Sequence, residues 1–150
     1  MKPTLEDTLI LACAVHRGQF DKAGKPYILH PLRVMANLGA AASEDERFVA
    51  LLHDVVEDTG LTPEALRGMG YSDEVLQALE LVTKRDGEEY EAFMQRLAPN
   101  AMARKVKLAD LQDNMDLSRI PNPQPKDYGR LEKYQRAVQY LREYEASVGD

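Results

Sequence analysis

The run Ser43-Glu-Asp-Glu-Arg-Phe-Val-Ala-Leu-Leu-His-Asp-Val-Val-Glu-Asp58 decides how this chain is read. Ser43 with Glu46 three residues on is a capping box, in which each side chain satisfies a backbone N–H left free by the helix start. Take Glu44–Asp58 as one helix at about 100° per residue, with His53 at zero. Leu51, Val55, Phe48, Leu52, Val56 and Val49 then fall between roughly 160° and 320°. His53, Glu46, Glu57, Ala50, Asp54, Arg47 and Asp58 fall between roughly 0° and 140°. This separation predicts a helix with one apolar face, and so a helical core for that face to pack against.

The same periodicity extends outward. Thr4 with Asp7 forms a second capping box, followed by Leu5, Leu9, Ala12 and His16 at helical spacing. Arg17–Pro26 is a polar, glycine-bearing loop, and Pro31 suits the first turn of a helix running to about Leu38 or Gly39. Thr62-Pro-Glu64 and Ser72-Asp-Glu74 mark two further helix starts, and helices are expected over Glu88–Leu97 and Ala101–Leu117. Pro121, Pro123 and Pro125 predict an extended connector from Ile120 to Lys126. Tyr128, Leu131, Tyr134, Val138 and Leu141 then read as the core stripe of a final helix. No stretch alternates as a strand does. The expectation is one compact all-α domain over 1–150, a bundle of roughly six to eight helices.

Composition narrows the function classes. The 150 residues carry 25 acids and 19 bases, a formal charge of −6, which argues against a broad nucleic-acid surface built on clustered Lys and Arg. The single cysteine excludes an intramolecular disulfide or a cysteine-rich zinc site. No apolar run has the length of a membrane span, and Met1–Pro3 does not open a signal peptide, so a soluble cytoplasmic protein is expected. Nothing in the sequence sets an oligomeric state.

The polar half of the central helix has two readings. One is a solvated face. The other starts from Leu51-Leu-His-Asp-Val-Val56, where a His-Asp pair interrupts an apolar hexapeptide, with Glu57 and Asp58 each one turn ahead. Carboxylates gathered this closely repel one another unless a cation or a distant base neutralises them, and nitrogen–oxygen donors suit a divalent ion such as zinc, manganese or iron. Asp110 raises the same question. With Asp110 at zero, Val106 and Leu117 flank it at about 320° and 340°. A carboxylate on such a stripe needs a partner, whether Lys107, Asn114 or a metal. His30, before Pro31, reads as a cap, a packed ring or a ligand. His16 reads as a helix-end histidine.

Taken together, Val15-His-Arg-Gly-Gln19, Lys22-Ala-Gly-Lys-Pro-Tyr-Ile-Leu-His-Pro31, Leu51-Leu-His-Asp-Val-Val-Glu-Asp-Thr59 and Val106-Lys-Leu-Ala-Asp-Leu-Gln-Asp-Asn-Met115 resemble the HD-domain phosphohydrolases. Within them the blocks are most similar to the hydrolase domain of the RelA/SpoT alarmone enzymes, in order over about residues 5–120. The resemblance implies an all-α fold and one divalent cation, most often manganese, held by His30, His53, Asp54 and Asp110. It implies that Glu57 and Asp58 position and activate the attacking water, and that Lys22 and Asn114 contact a small-molecule nucleotide. The implied reaction removes pyrophosphate from the 3′ position of guanosine tetra- or pentaphosphate. No synthetase region follows within the 150 residues, so synthesis is not expected, and His16 matches a family histidine that is not a ligand.

The chain departs from the pattern at the substrate side. Asp21 and Lys25 replace Arg and Glu of the typical loop, and Leu111 and Asp116 stand where arginines are usual. Each change is expected to weaken the grip on a polyanion. The alternatives are an HD-type phosphohydrolase of another nucleotide or phosphorylated dinucleotide cofactor, a non-catalytic nucleotide-sensing or partner-binding module, and a purely structural helical domain.

Overall fold

Helix α3 (Glu44–Leu52) lies at the centre, and the rest of the chain is arranged around it. Both halves of the Ser43–Glu46 capping box form, at 3.1 and 2.8 Å. From Phe48 to Leu52 every residue is buried, including Ala50, which the wheel placed on the polar side. The polar face is thus confined to the first turn. The helix packs on α1 (Leu5–His16), α2 (Leu29–Asn37), α6 (Asp73–Leu81) and α8 (Ala101–Asn114).

The computed structural model describes residues 1–149, and among these there are nine α-helices, one 3-10 turn and no strand. α4 (Val55–Thr59), α5 (Pro63–Gly68) and α7 (Tyr90–Leu97) are short, and α9 (Pro125–Val148) closes the bundle against α7 and α8. The core joins Val34, Phe48, Leu52, Leu66, Val75, Leu79, Phe93, Leu97, Val106, Leu111 and Leu141. No helix of the described residues is long and apolar enough to cross a membrane.

Three local expectations change. Glu44–Asp58 is two helices, not one: α3 stops at Leu52 and α4 starts at Val55. The cause is local. The His53 ring donates from Nδ1 to the Ala50 carbonyl at 2.6 Å, the acceptor an unbroken helix would offer to the N–H of Asp54. Asp54 then sits at φ −104°, ψ −1°, between the helices. Next, Pro125 opens α9 instead of remaining in the connector, because the first helical position needs no N–H donor. Tyr128 is 53% exposed, and the buried face of α9 runs through Asp127, Ala137 and Leu141. Finally, α8 ends at Asn114, and Leu117 belongs to the 3-10 turn Leu117–Arg119.

Candidate metal centre

His30, His53 and Asp110 come from α2, the α3–α4 turn and α8, and their donor atoms meet at one point beneath the surface. His30 Nε2 lies 3.3 Å from His53 Nε2. Asp110 Oδ1 is 2.9 Å from the first and 3.3 Å from the second. Asp54 Oδ2 completes the group, 3.0 Å from His53 Nε2 and 3.6 Å from His30 Nε2. Both imidazoles and Asp110 are buried.

Each imidazole is held from behind. His53 Nδ1 donates to the Ala50 carbonyl, and His30 Nδ1 donates to Asp113 Oδ2 at 2.6 Å. With both Nδ1 atoms used as donors, the neutral rings turn two Nε2 lone pairs toward each other beside a carboxylate oxygen. Only positive charge relieves that arrangement, either protons on the rings or a cation between them. Accordingly, burial disfavours charge on either ring, yet carboxylates outweigh it. Asp110 and Asp113 push His30 up, and Asp54 and Asp110 push His53 well up. The separations are those of neighbouring donors around one ion with metal–ligand distances of about 2.0–2.2 Å. The donor set, two imidazoles and two carboxylates with their outer nitrogens anchored, fits a divalent cation.

Asp110 has the partners it needs on every side. Lys107 Nζ approaches Oδ2 at 2.9 Å, and Asn114 Nδ2 donates to Oδ1 at 3.1 Å. Both local partners weighed from the sequence are therefore present together with the two histidines. Burial raises Asp110, but Lys107 and the histidines hold it well below the usual carboxylate range. Asp54 is kept at about 2, burial being outweighed chiefly by His53, and it accepts a 2.5 Å hydrogen bond from Tyr27 Oη.

His30, Asp54 and Asp110 form the floor of a cavity of about 450 Å³, and His53 meets them from outside its lining. Lys22, on the loop after α1, and Asn114, at the end of α8, both line it. Arg33, Lys107, Arg119 and Arg130 supply cationic side chains to the same wall. Glu57 and Asp58 are exposed on α4 and are not part of the lining, but the Asp54 charge reaches both. Partial desolvation by the neighbouring residues first and the Asp54 charge second raise each carboxyl above its ordinary value. His16 ends α1 buried, 2.8 Å from Gln19 Oε1 through Nδ1 and with its ring tilted against Tyr27 at 5.0 Å between centroids, and it is not among the converging donors.

Two contributors carry no role in the sequence reading. Tyr27 lies within a quoted block, and only the fold aims its hydroxyl at Asp54. Asp113 is the other. A signal was available, because His30 and Arg33 stand three apart on one helix and Asp110 and Asp113 three apart on another, which lets the two pairs face each other.

No family model matches the chain. A probable GTP pyrophosphokinase of Mycobacterium leprae is 41% identical over 120 residues, covering 73% of this chain and 15% of that protein. The guanosine-3′,5′-bis(diphosphate) 3′-pyrophosphohydrolase of Haemophilus influenzae is 33% identical over 118 residues, 71% of this chain and 17% of that protein. The chain thus spans about a sixth of the curated relatives it matches. A solved structure described as a metazoan ortholog of SpoT that hydrolyses ppGpp superposes with a TM-score of 0.73 at 24% identity, over 99% of this chain and 98% of that one. The helical bundle and its convergent His–Asp cluster define a domain of the HD type. The chain belongs to the RelA/SpoT-type HD domains.

Proposed function

We propose that residues 1–150 form one HD-type phosphohydrolase domain that removes pyrophosphate from the 3′ position of guanosine tetra- and pentaphosphate. The observation that carries this reading is the convergence of His30, His53, Asp54 and Asp110 on one point at the floor of a nucleotide-sized cavity. The names of the relatives, pyrophosphohydrolases and pyrophosphokinases of guanosine nucleotides, support the substrate class.

On this reading the four donors hold one divalent ion, which we assign as manganese. When bound, the ion supplies Lewis acidity toward a phosphoryl oxygen and acidifies water. One of Glu57 and Asp58 takes the proton of the attacking water while the other orders it. Their raised carboxyl pKa values make them better bases than solvated carboxylates. Tyr27 and Lys107 keep Asp54 and Asp110 ionised and in place. Lys22 and Asn114 contact the nucleotide from the cavity wall. The free thiol of Cys13 suits a reducing compartment, and the reading locates the protein in the cytoplasm.

The test is hydrolysis of guanosine tetraphosphate with and without Mn²⁺, scoring pyrophosphate against orthophosphate. Manganese-dependent pyrophosphate release is expected, and orthophosphate alone overturns the reaction. Asp21, Leu111 and Asp116 at positions where arginine is usual favour including other nucleotides in the same assay. Faster turnover of a nucleoside monophosphate or a phosphorylated dinucleotide would replace the substrate while keeping the class.

A further inference from the structure

Asp113 is 5% exposed and both of its oxygens are occupied. Oδ2 accepts Nδ1–H of His30 at 2.6 Å. Oδ1 accepts Nε–H of Arg33 at 2.6 Å and faces Arg119 Nη2 at 3.2 Å, while Arg119 also donates to the Asp113 carbonyl at 3.1 Å. Asp110, one turn earlier on α8, meets the opposite nitrogen of the same imidazole at 2.9 Å. One helix therefore grips both nitrogens of a ring carried by another.

We propose that Asp113 is a positioning residue that fixes the ring and tautomer of His30, with Arg33 and Arg119 clamping its carboxylate. The inference rests on the metal reading given above. An imidazole bonded to a carboxylate at Nδ1 keeps its proton there and turns the Nε2 lone pair outward, where a cation is bound; the carboxylate also makes that nitrogen more basic. The two arginines offset the added charge, so the anchor does not deepen the repulsion among Asp54, Asp110, Glu57 and Asp58. His53 is anchored instead by a backbone carbonyl, which no side-chain substitution removes. Asp113 is thus a point at which one ligand of the pair can be loosened alone.

The experiment uses the full chain and the variants Asp113→Asn and Arg33→Gln. Mn²⁺ affinity is measured by paramagnetic resonance titration, and the ring tautomers by ¹⁵N NMR of metal-free protein at a pH where the rings are neutral. Asp113→Asn is expected to weaken Mn²⁺ by about 10–100-fold and to mix the tautomers of His30 while His53 keeps one. At saturating Mn²⁺ its kcat returns to within a few-fold of the parent, which general structural damage would not allow. An unchanged Mn²⁺ affinity, or an unchanged His30 tautomer, overturns the proposal. If melting shows that Asp113→Asn does not fold, Arg33→Gln decides: a several-fold weaker Mn²⁺ affinity is expected, and parent affinity overturns it. A parent that binds no Mn²⁺ sinks the metal reading by itself, and the tautomer measurement still decides the role of Asp113.

Discussion

The floor of the cavity and its rim are built on opposite principles. On the floor and just beneath it, His30, His53 and Asp110 are buried, and each is tied to at least two other polar groups. Around it, Lys22 and Asn114 on the cavity wall and Glu57 and Asp58 outside the lining are exposed, on a loop, a helix end and a five-residue helix. The difference separates two tasks. Buried donors lose little entropy on gathering around a cation, because packing has already ordered them. Exposed groups stay free to adjust to a substrate and to exchange protons with water.

The sharpest way to break this contrast is to remove a floor residue. Asp110→Ala leaves the half-buried Lys107 without its carboxylate, and we expect a loss of about 1–3 kcal/mol in stability, read by urea denaturation. Metal-dependent turnover is expected to fall by about a thousandfold or more, equivalent to several kcal/mol of lost charge stabilisation. A stable, metal-binding Asp110→Ala protein would erase the distinction. Next in size, Glu57→Gln with Asp58→Asn is expected to lower kcat by about 10²–10⁴-fold while leaving Mn²⁺ binding and the melting temperature at parent values. Full turnover by that double variant would remove both carboxylates from the chemistry. Lys22→Ala is expected to raise KM roughly tenfold with kcat unchanged, an effect that shrinks as salt is added.

The smallest effect lies away from both regions. Glu88, between α6 and α7, accepts two bonds from Arg96 at 2.8 and 2.9 Å and one from the Arg85 N–H at 3.0 Å. The Arg96 bonds, with smaller help from Arg85, lower its carboxyl from an ordinary 4.5 to about 2. A folded value below the unfolded one stabilises the fold above pH 4.5 and loses that contribution as pH falls toward 2. Arg96→Gln is therefore expected to flatten the acid limb of the stability profile over that window, without changing Mn²⁺ affinity. A shifted metal affinity would show that the distant ion pair and the floor are coupled.

Part of the floor was legible in the amino-acid order: spacing singled out the His53–Asp54 pair and Asp110, whereas His30 was marked only by the family resemblance. Capping boxes at Thr4 and Ser43 are written in adjacent residues and form as read. Asp110 was visible as a misplaced carboxylate because helical spacing alone exposes it. The break after Leu52 was not legible, since Leu-Leu-His-Asp-Val-Val fits a continuous helix and only the competition of the His53 ring for the Ala50 carbonyl ends it. Asp113 and Tyr27 went unassigned because their partners, His30 and Asp54, lie on other elements. Tyr128 shares a helical stripe with Leu131, Tyr134, Val138 and Leu141, but of these packing buries only Leu141 fully, and the buried face turns through Asp127 and Ala137.

The turn at His53–Asp54 has one more consequence. In a continuous helix, consecutive side chains diverge by about 100°, and here two neighbours in sequence bring donor atoms to within 3.0 Å of each other. With no loop between them, the effective concentration of the second donor at the first is set by a single peptide unit and not by chain closure. A cation held by both would, on leaving Asp54, still face that carboxylate from His53. Lengthening this one junction by a residue is therefore expected to speed metal release more than inserting the same residue into the loop around Lys22.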